Sequence, residues 1–142
     1  MQISPKVSPH GVLETSLYVS DLARALAFYE TVLRLKKIDD FPAGRGAALQ
    51  VGAGPSLLLL FCAAITRTGG TFPEHGADGH GHVAFRIEPQ ELEAWRSRLR
   101  EHSVPIEKEL VFRGNPPSLY FRDPDGNSLE LSVAAIWPFQ AP

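Results

Sequence analysis

The chain has 142 residues, a hydrophobic fraction of 44% and a formal net charge of −2, the size of one domain, or of two tightly packed half-domains, able to bury a core. That balance supplies no field for nucleic acid or an anionic membrane, and the arginines of Trp95–Arg100 form a local cluster beside acidic residues, as on a solvated helix face. The single Cys62 excludes an internal disulfide and a cysteine-rich zinc cage, and the apolar run Leu57–Phe61 and the N-terminus fall short of a membrane span and a secretion signal. The expectation is a soluble, cytoplasmic protein with a small-molecule partner and neither nucleic acid nor membrane.

From Val12 to Val19 the chain alternates, with Leu13, Thr15, Leu17 and Val19 on one side and Glu14, Ser16 and Tyr18 on the other, the pattern of a strand. Asp21 is placed to cap a helix in which Leu22, Ala25, Leu26, Tyr29 and Leu33 recur at helical spacing. Ala47–Val51 and Ser56–Phe61 read as strands joined at Gly52-Ala-Gly-Pro55. Residues 66–81, rich in Gly, Thr and His, read as a connector.

The order then begins again. His82–Ile87 is a strand, Pro89 suits a first helical turn, and Leu92, Trp95 and Leu99 mark that helix's buried side. Val104–Arg113, Ser118–Arg122 and Asn127–Val133 follow as strands, with Asp123-Pro-Asp-Gly126 as a turn. The ends also echo, Ser56–Ala64 against Asn127–Ala135. The expected organisation is one α+β domain over 1–142, with modules at 12–65 and 82–137 joined by the connector 66–81.

In such a repeat each half-sheet buries one face under its helix and leaves a more polar face over, so two halves can surround a shared hollow. The leftover faces carry Glu14, Ser16 and Tyr18; His82, Ala84 and Arg86; and Ser128, Glu130 and Ser132. Each alone reads as a solvated strand face. Three metal-ligating side chains nevertheless fall on three corresponding faces.

The segments Leu17-Tyr-Val-Ser-Asp-Leu22 with Phe28-Tyr29, Gly81-His-Val-Ala-Phe85, and Tyr120-Phe-Arg-Asp-Pro-Asp-Gly-Asn-Ser-Leu-Glu130 resemble, in order and spacing, the vicinal oxygen chelate superfamily of glyoxalase I, bleomycin-resistance proteins, fosfomycin-resistance proteins and extradiol dioxygenases. The resemblance covers nearly the whole chain. It implies tandem βαβββ modules forming a cupped mixed sheet around one divalent metal. The ligand positions fall on Glu14, His82 and Glu130, and a fourth falls on Leu59, which cannot bind a metal. His80 is an alternative to His82, although the Val83-Ala-Phe85 continuation favours His82; His10, His75 and His102 match no motif and read as surface residues.

One imidazole and two carboxylates neutralise a divalent ion and leave positions open for water or a bidentate substrate. Glu14 stands where many members of the resembled family carry histidine, which moves the ligand set away from the two-histidine, one-carboxylate site of oxygen activation. Zn, Ni, Mn and Fe remain possible metals. The resemblance therefore implies Lewis-acid stabilisation of an enolate or oxyanion, as in a lyase or isomerase, with an extradiol dioxygenase next. Fosfomycin transfer ranks behind, since Ser118 and Tyr120 match that branch but Glu14 does not. The rival is a non-catalytic small-molecule or antibiotic-binding protein of the bleomycin-resistance type. Ser16, Tyr18, Arg86, Ser118, Tyr120 and Arg122 have strand parities compatible with substrate contact, no catalytic residue is assigned, and a homodimer is expected.

Overall fold

The computed structural model describes residues 5–68 and 70–141. The first module runs β1 (Glu14–Tyr18), α1 (Leu22–Thr31), β2 (Lys36–Phe41), β3 (Gly46–Gln50), β4 (Leu57–Phe61) and a short α2 (Ala63–Thr66). The second runs β5 (His82–Arg86), α3 (Leu92–Glu101), β6 (Lys108–Leu110), β7 (Ser118–Arg122) and β8 (Ser128–Ser132). Each module is a mixed four-stranded sheet, ordered β1-β4-β3-β2 and β5-β8-β7-β6, in which the first strand lies parallel to the last and the other pairs are antiparallel. The architecture is the expected α+β tandem of βαβββ units.

The alternation sorts the faces as expected. Leu17 and Val19 of the first strand segment, Leu58 and Leu60 of β4, Leu119 and Phe121 of β7, and Leu129 and Leu131 of β8 all enter one hydrophobic cluster shared by both modules. Helix α1 contributes Ala25 and Tyr29, and α3 contributes Leu92 and Leu99. Asp21 caps α1 by accepting from the Arg24 amide at 3.0 Å, satisfying one free N–H of the first turn.

Two strands depart from the alternation. β2 is an edge strand whose sequence Lys-Lys-Ile-Asp-Asp-Phe is exposed except at its last residue, with a register shift between Lys37 and Asp39. Charges and a bulge are the usual protection of an edge against pairing with another chain, so no buried face imposes a two-residue period. In the second module the span Val104–Arg113 contributes only Lys108–Leu110, also an exposed edge strand.

The turn Asp123–Gly126 joins the modules. Gly126 closes it with φ 85°, a left-handed conformation that suits glycine. Buried Asp123 accepts from the Tyr29 hydroxyl of α1 at 2.7 Å, and from the Asn127 amide at 2.8 Å and side chain at 2.9 Å. Asn127 in turn accepts from the Gly81 amide at 2.8 Å, which fixes the backbone one residue before His82. A Cβ on Gly81 would stand 2.8 Å from Leu17 Cδ2, so any larger residue there would have to displace the Leu17 side chain from the core.

Tyr29→Phe removes one donor from a buried carboxylate and is expected to cost about 1–3 kcal/mol in urea unfolding. Burial first, and Asp123 next, push the Tyr29 phenol well above the usual tyrosine range. The protonated phenol is therefore the folded form, and its contribution is complete below the unfolded value of ~10 and lost as pH rises beyond it. Tyr29→Phe should flatten the alkaline fall of the urea midpoint; an unchanged slope would show that the pair is not what titrates.

Candidate metal centre

Across the second sheet, Ala84 of β5, Glu130 of β8 and Tyr120 of β7 stand in register, and His82 lies two residues before Ala84 on the same face. The His82 ring nitrogen Nδ1 lies 2.9 Å from the Ser128 carbonyl. A carbonyl only accepts, so Nδ1 carries the hydrogen and a neutral ring keeps its lone pair on Nε2. Nε2 lies 3.5 Å from Glu130 Oε1.

Glu130 is 5% exposed, and its second oxygen, Oε2, is buried with no hydrogen-bond partner. A buried carboxylate oxygen without a partner costs free energy that a cation or a proton removes. A divalent ion would answer both the imidazole lone pair and the carboxylate charge, whereas a proton on Nε2 would pair only with Oε1 and leave Oε2 alone. The chemistry of this donor pair thus fits a metal, and the backbone carbonyl of Ser128 fixes the ring orientation that such a ligand would need.

These two side chains and Tyr120 line an open cavity of about 430 Å³. The rings of His82 and Tyr120 are nearly parallel, at 17° and 6.5 Å between centroids. Burial first, and then the neighbouring Glu130, push the Tyr120 phenol up to about 12, so at neutral pH it holds its proton. The remaining wall is apolar, from Val111 and Phe112 before β7 and Ile136 and Trp137 after β8, with Arg113 beside them. Arg113 Nε donates to the Ile136 carbonyl at 2.7 Å, tying the two loops together. Sequence reasoning missed these wall residues because loops carry no periodicity; the signal available was an aromatic, Trp137, beyond the last strand.

Glu14 does not join them within one chain. It is exposed at the start of β1, where its pairing with Leu57 matches that of His82 with Ser128. By the same register Leu59, opposite Ser16, matches Glu130, opposite Ala84, the correspondence that the chain's internal echo indicates. Among the described residues no cluster of three His, Cys, Asp or Glu side chains is positioned to hold a metal. His80 packs over Gly126 and lines a different depression, beside Asp125.

The six substrate-contact candidates divide. Tyr120 lines the cavity, whereas Ser118 is fully buried and its hydroxyl is bonded to that of Ser132 at 2.6 Å. Arg122 is held by Glu107 at 2.8 Å and by the Gly126 carbonyl at 2.9 Å. Arg86 lies at the far end of β5, in two other depressions. Ser16 and Tyr18 belong to the first module, and Tyr18 shares a 2.6 Å hydrogen bond with His75. His75, expected at the surface, is instead half-buried with its ring edge-on to Phe61 at 4.7 Å. The connector therefore folds back over the first sheet.

Residues 11–131 match the Glyoxalase/Bleomycin resistance protein/Dioxygenase superfamily. Glutathione transferase FosA of Serratia marcescens is 31% identical over 85% of this chain and 79% of its own length. Metallothiol transferase FosB of Bacillus licheniformis is 33% identical over a shorter stretch, 42% of this chain and 40% of that protein. The crystal structure of a lactoylglutathione lyase from Agrobacterium tumefaciens superposes with a TM-score of 0.85 at 32% identity, covering 94% of this chain and 100% of the other. A match over most of the chain, with the same fold at this similarity, makes the chain a member of the Glyoxalase/Bleomycin resistance protein/Dioxygenase superfamily.

Proposed function

We propose that the protein is a divalent-metal-dependent enzyme acting on a small substrate with adjacent oxygens, of lyase or isomerase type, working as a homodimer with two equivalent sites. The observation that carries this reading is the unpartnered, buried Glu130 Oε2 beside an imidazole whose lone pair is freed by Ser128. His82 and Glu130 would hold the metal from one subunit, with Glu14 as the third ligand. When bound, the metal supplies Lewis-acid stabilisation of negative charge on a substrate oxygen.

The chain's own groups do the rest. Tyr120 offers a hydroxyl donor at the cavity wall, and the apolar side chains of Phe112 and Trp137 give one side of the substrate a surface to pack against. The relatives named FosA and FosB bring thiol transfer closer than the sequence motifs alone place it. Ser118, however, spends its hydroxyl on Ser132 rather than on the cavity, so the lyase or isomerase reading stays first. An exposed Trp137, 62% accessible, supports the second reading, a binding protein for an aromatic ligand.

The test is elemental analysis of protein purified without added metal, followed by assays for lactoylglutathione formation and for thiol addition to fosfomycin, with and without added Zn, Ni, Mn or Fe. Near-stoichiometric metal with turnover that a chelator abolishes is expected. Protein that is purified metal-free and binds none of the four ions would reject the metal-dependent reading, and metal-loaded protein inactive in both assays would exclude these two reactions.

A further inference from the structure

A second cavity, of about 480 Å³, lies at the seam between the modules, where the C-terminal ends of α1, β3 and β5 meet α3. Its floor is apolar: Phe85 and Ile87 are buried and Trp95 is half-buried. Its rim carries three exposed cations, Arg34, Lys36 and Arg86, and no acidic residue lines it. The ion pairs among the described residues engage Arg24, Lys37, Arg67, Arg96 and Arg122 and leave these three out. Lys37, next to Lys36, is claimed by Asp40 at 2.9 Å. Like charges gathered over an apolar floor repel one another unless an anion lies among them.

Backbone conformation adds an independent observation. Arg34 has φ 55°, just past the C-terminus of α1, the left-handed position that glycine ordinarily takes after a helix. A Cβ there carries a steric cost that glycine avoids. Ser103 takes the same conformation past α3, so the turn is common to both modules; what is particular to the first is that the position carries an arginine, with its side chain on the cavity rim. Arg86 follows His82 by four residues on β5, roughly 13 Å along the strand, so this site is separate from the candidate metal centre.

We propose that the seam cavity binds a small amphipathic anion, a carboxylate carried on an aromatic body. The rim cations hold the carboxylate by charge-assisted hydrogen bonds, and Trp95 and Phe85 receive the ring. A cavity of this size suits a ligand of drug-like dimensions or smaller. The site needs no metal and stands whether or not the metal reading does.

The chain has two tryptophans, so Trp137→Phe leaves Trp95 as the only indole reporter. In that background, with a chelator present, 3-phenylpropionate should change Trp95 fluorescence saturably, and 3-phenylpropan-1-ol should bind at least ~10-fold more weakly. Arg34→Gly should weaken the carboxylate ~5- to 10-fold while melting no lower than the parent, because the strained conformation is relieved. Arg86→Ala, on an exposed strand position, should weaken it similarly, and His82→Ala should leave it unchanged. No saturable response at millimolar carboxylate, equal binding of the alcohol, or loss in His82→Ala but not Arg86→Ala would overturn the proposal. So would sedimentation showing that Arg34→Gly or Arg86→Ala dissociates a dimer, since a second copy would then be what fills the cavity.

Discussion

Glu130→Gln should weaken divalent-metal binding by at least ~100-fold and, in the presence of a chelator, raise the melting temperature. The two effects have one cause. Glu130 Oε2 is buried and unpartnered, so without a metal the carboxylate carries a desolvation cost of about 1–3 kcal/mol or more. The amide is neutral and can donate to His82 Nε2, the lone pair now facing Oε1 at 3.5 Å, which relieves that cost. With metal the order reverses: a ligand bound only by the folded state stabilises the parent by about 2.7 kcal/mol at a hundred times its dissociation constant, and the variant gains little. Titration calorimetry and paired melts, with chelator and with saturating metal, give the crossing directly. A variant that keeps the parent's affinity within a few-fold would remove Glu130 from the ligand set, and parallel melts in both conditions would remove the coupling between site and stability.

Strand periodicity made legible which sheet faces of the candidate site carry His82 and Glu130, whereas their role as ligands was legible only through the family resemblance. His82 and Glu130 fall on one face because residues two apart share a face, and parallel pairing of β5 with β8 sets Glu130 opposite Ala84. The turn Asp123–Gly126 was legible through Pro and Gly, but its second role was not: Asp123 also receives the Tyr29 hydroxyl and ties the modules together, a contact across 94 residues that no local pattern encodes. Parity was a poor guide where neighbours compete for a side chain. Ser118 and Arg122 have the right parity, yet Ser132 and Glu107 occupy their polar groups. Edge strand β2 was invisible for the opposite reason, since an exposed charged edge has no buried face to impose a pattern.

Glu14 is where the single chain falls short, and it sets up the sharpest expectation. It occupies in the first module the register position that His82 occupies in the second, yet no third ligand-type side chain joins His82 and Glu130 within the described residues of one chain. A two-fold dimer that brings the first module of one subunit against the second module of its partner would complete two equivalent three-ligand sites, because an isologous contact repeats itself. Glu14→Ala and His82→Ala chains should then each lack metal binding alone. In their heterodimer, the His82→Ala chain supplies Glu14 to the intact His82 and Glu130 of the other chain, restoring one site of two. Random mixing of equal amounts makes about half of the dimers mixed, so about a quarter of the parent's metal content should return. Mixed samples verified by mass spectrometry and assayed for bound metal decide the matter. No recovery in a verified heterodimer would mean that each site is built within one chain, and a monomer at working concentration in sedimentation would reject the assembly on which the shared site depends.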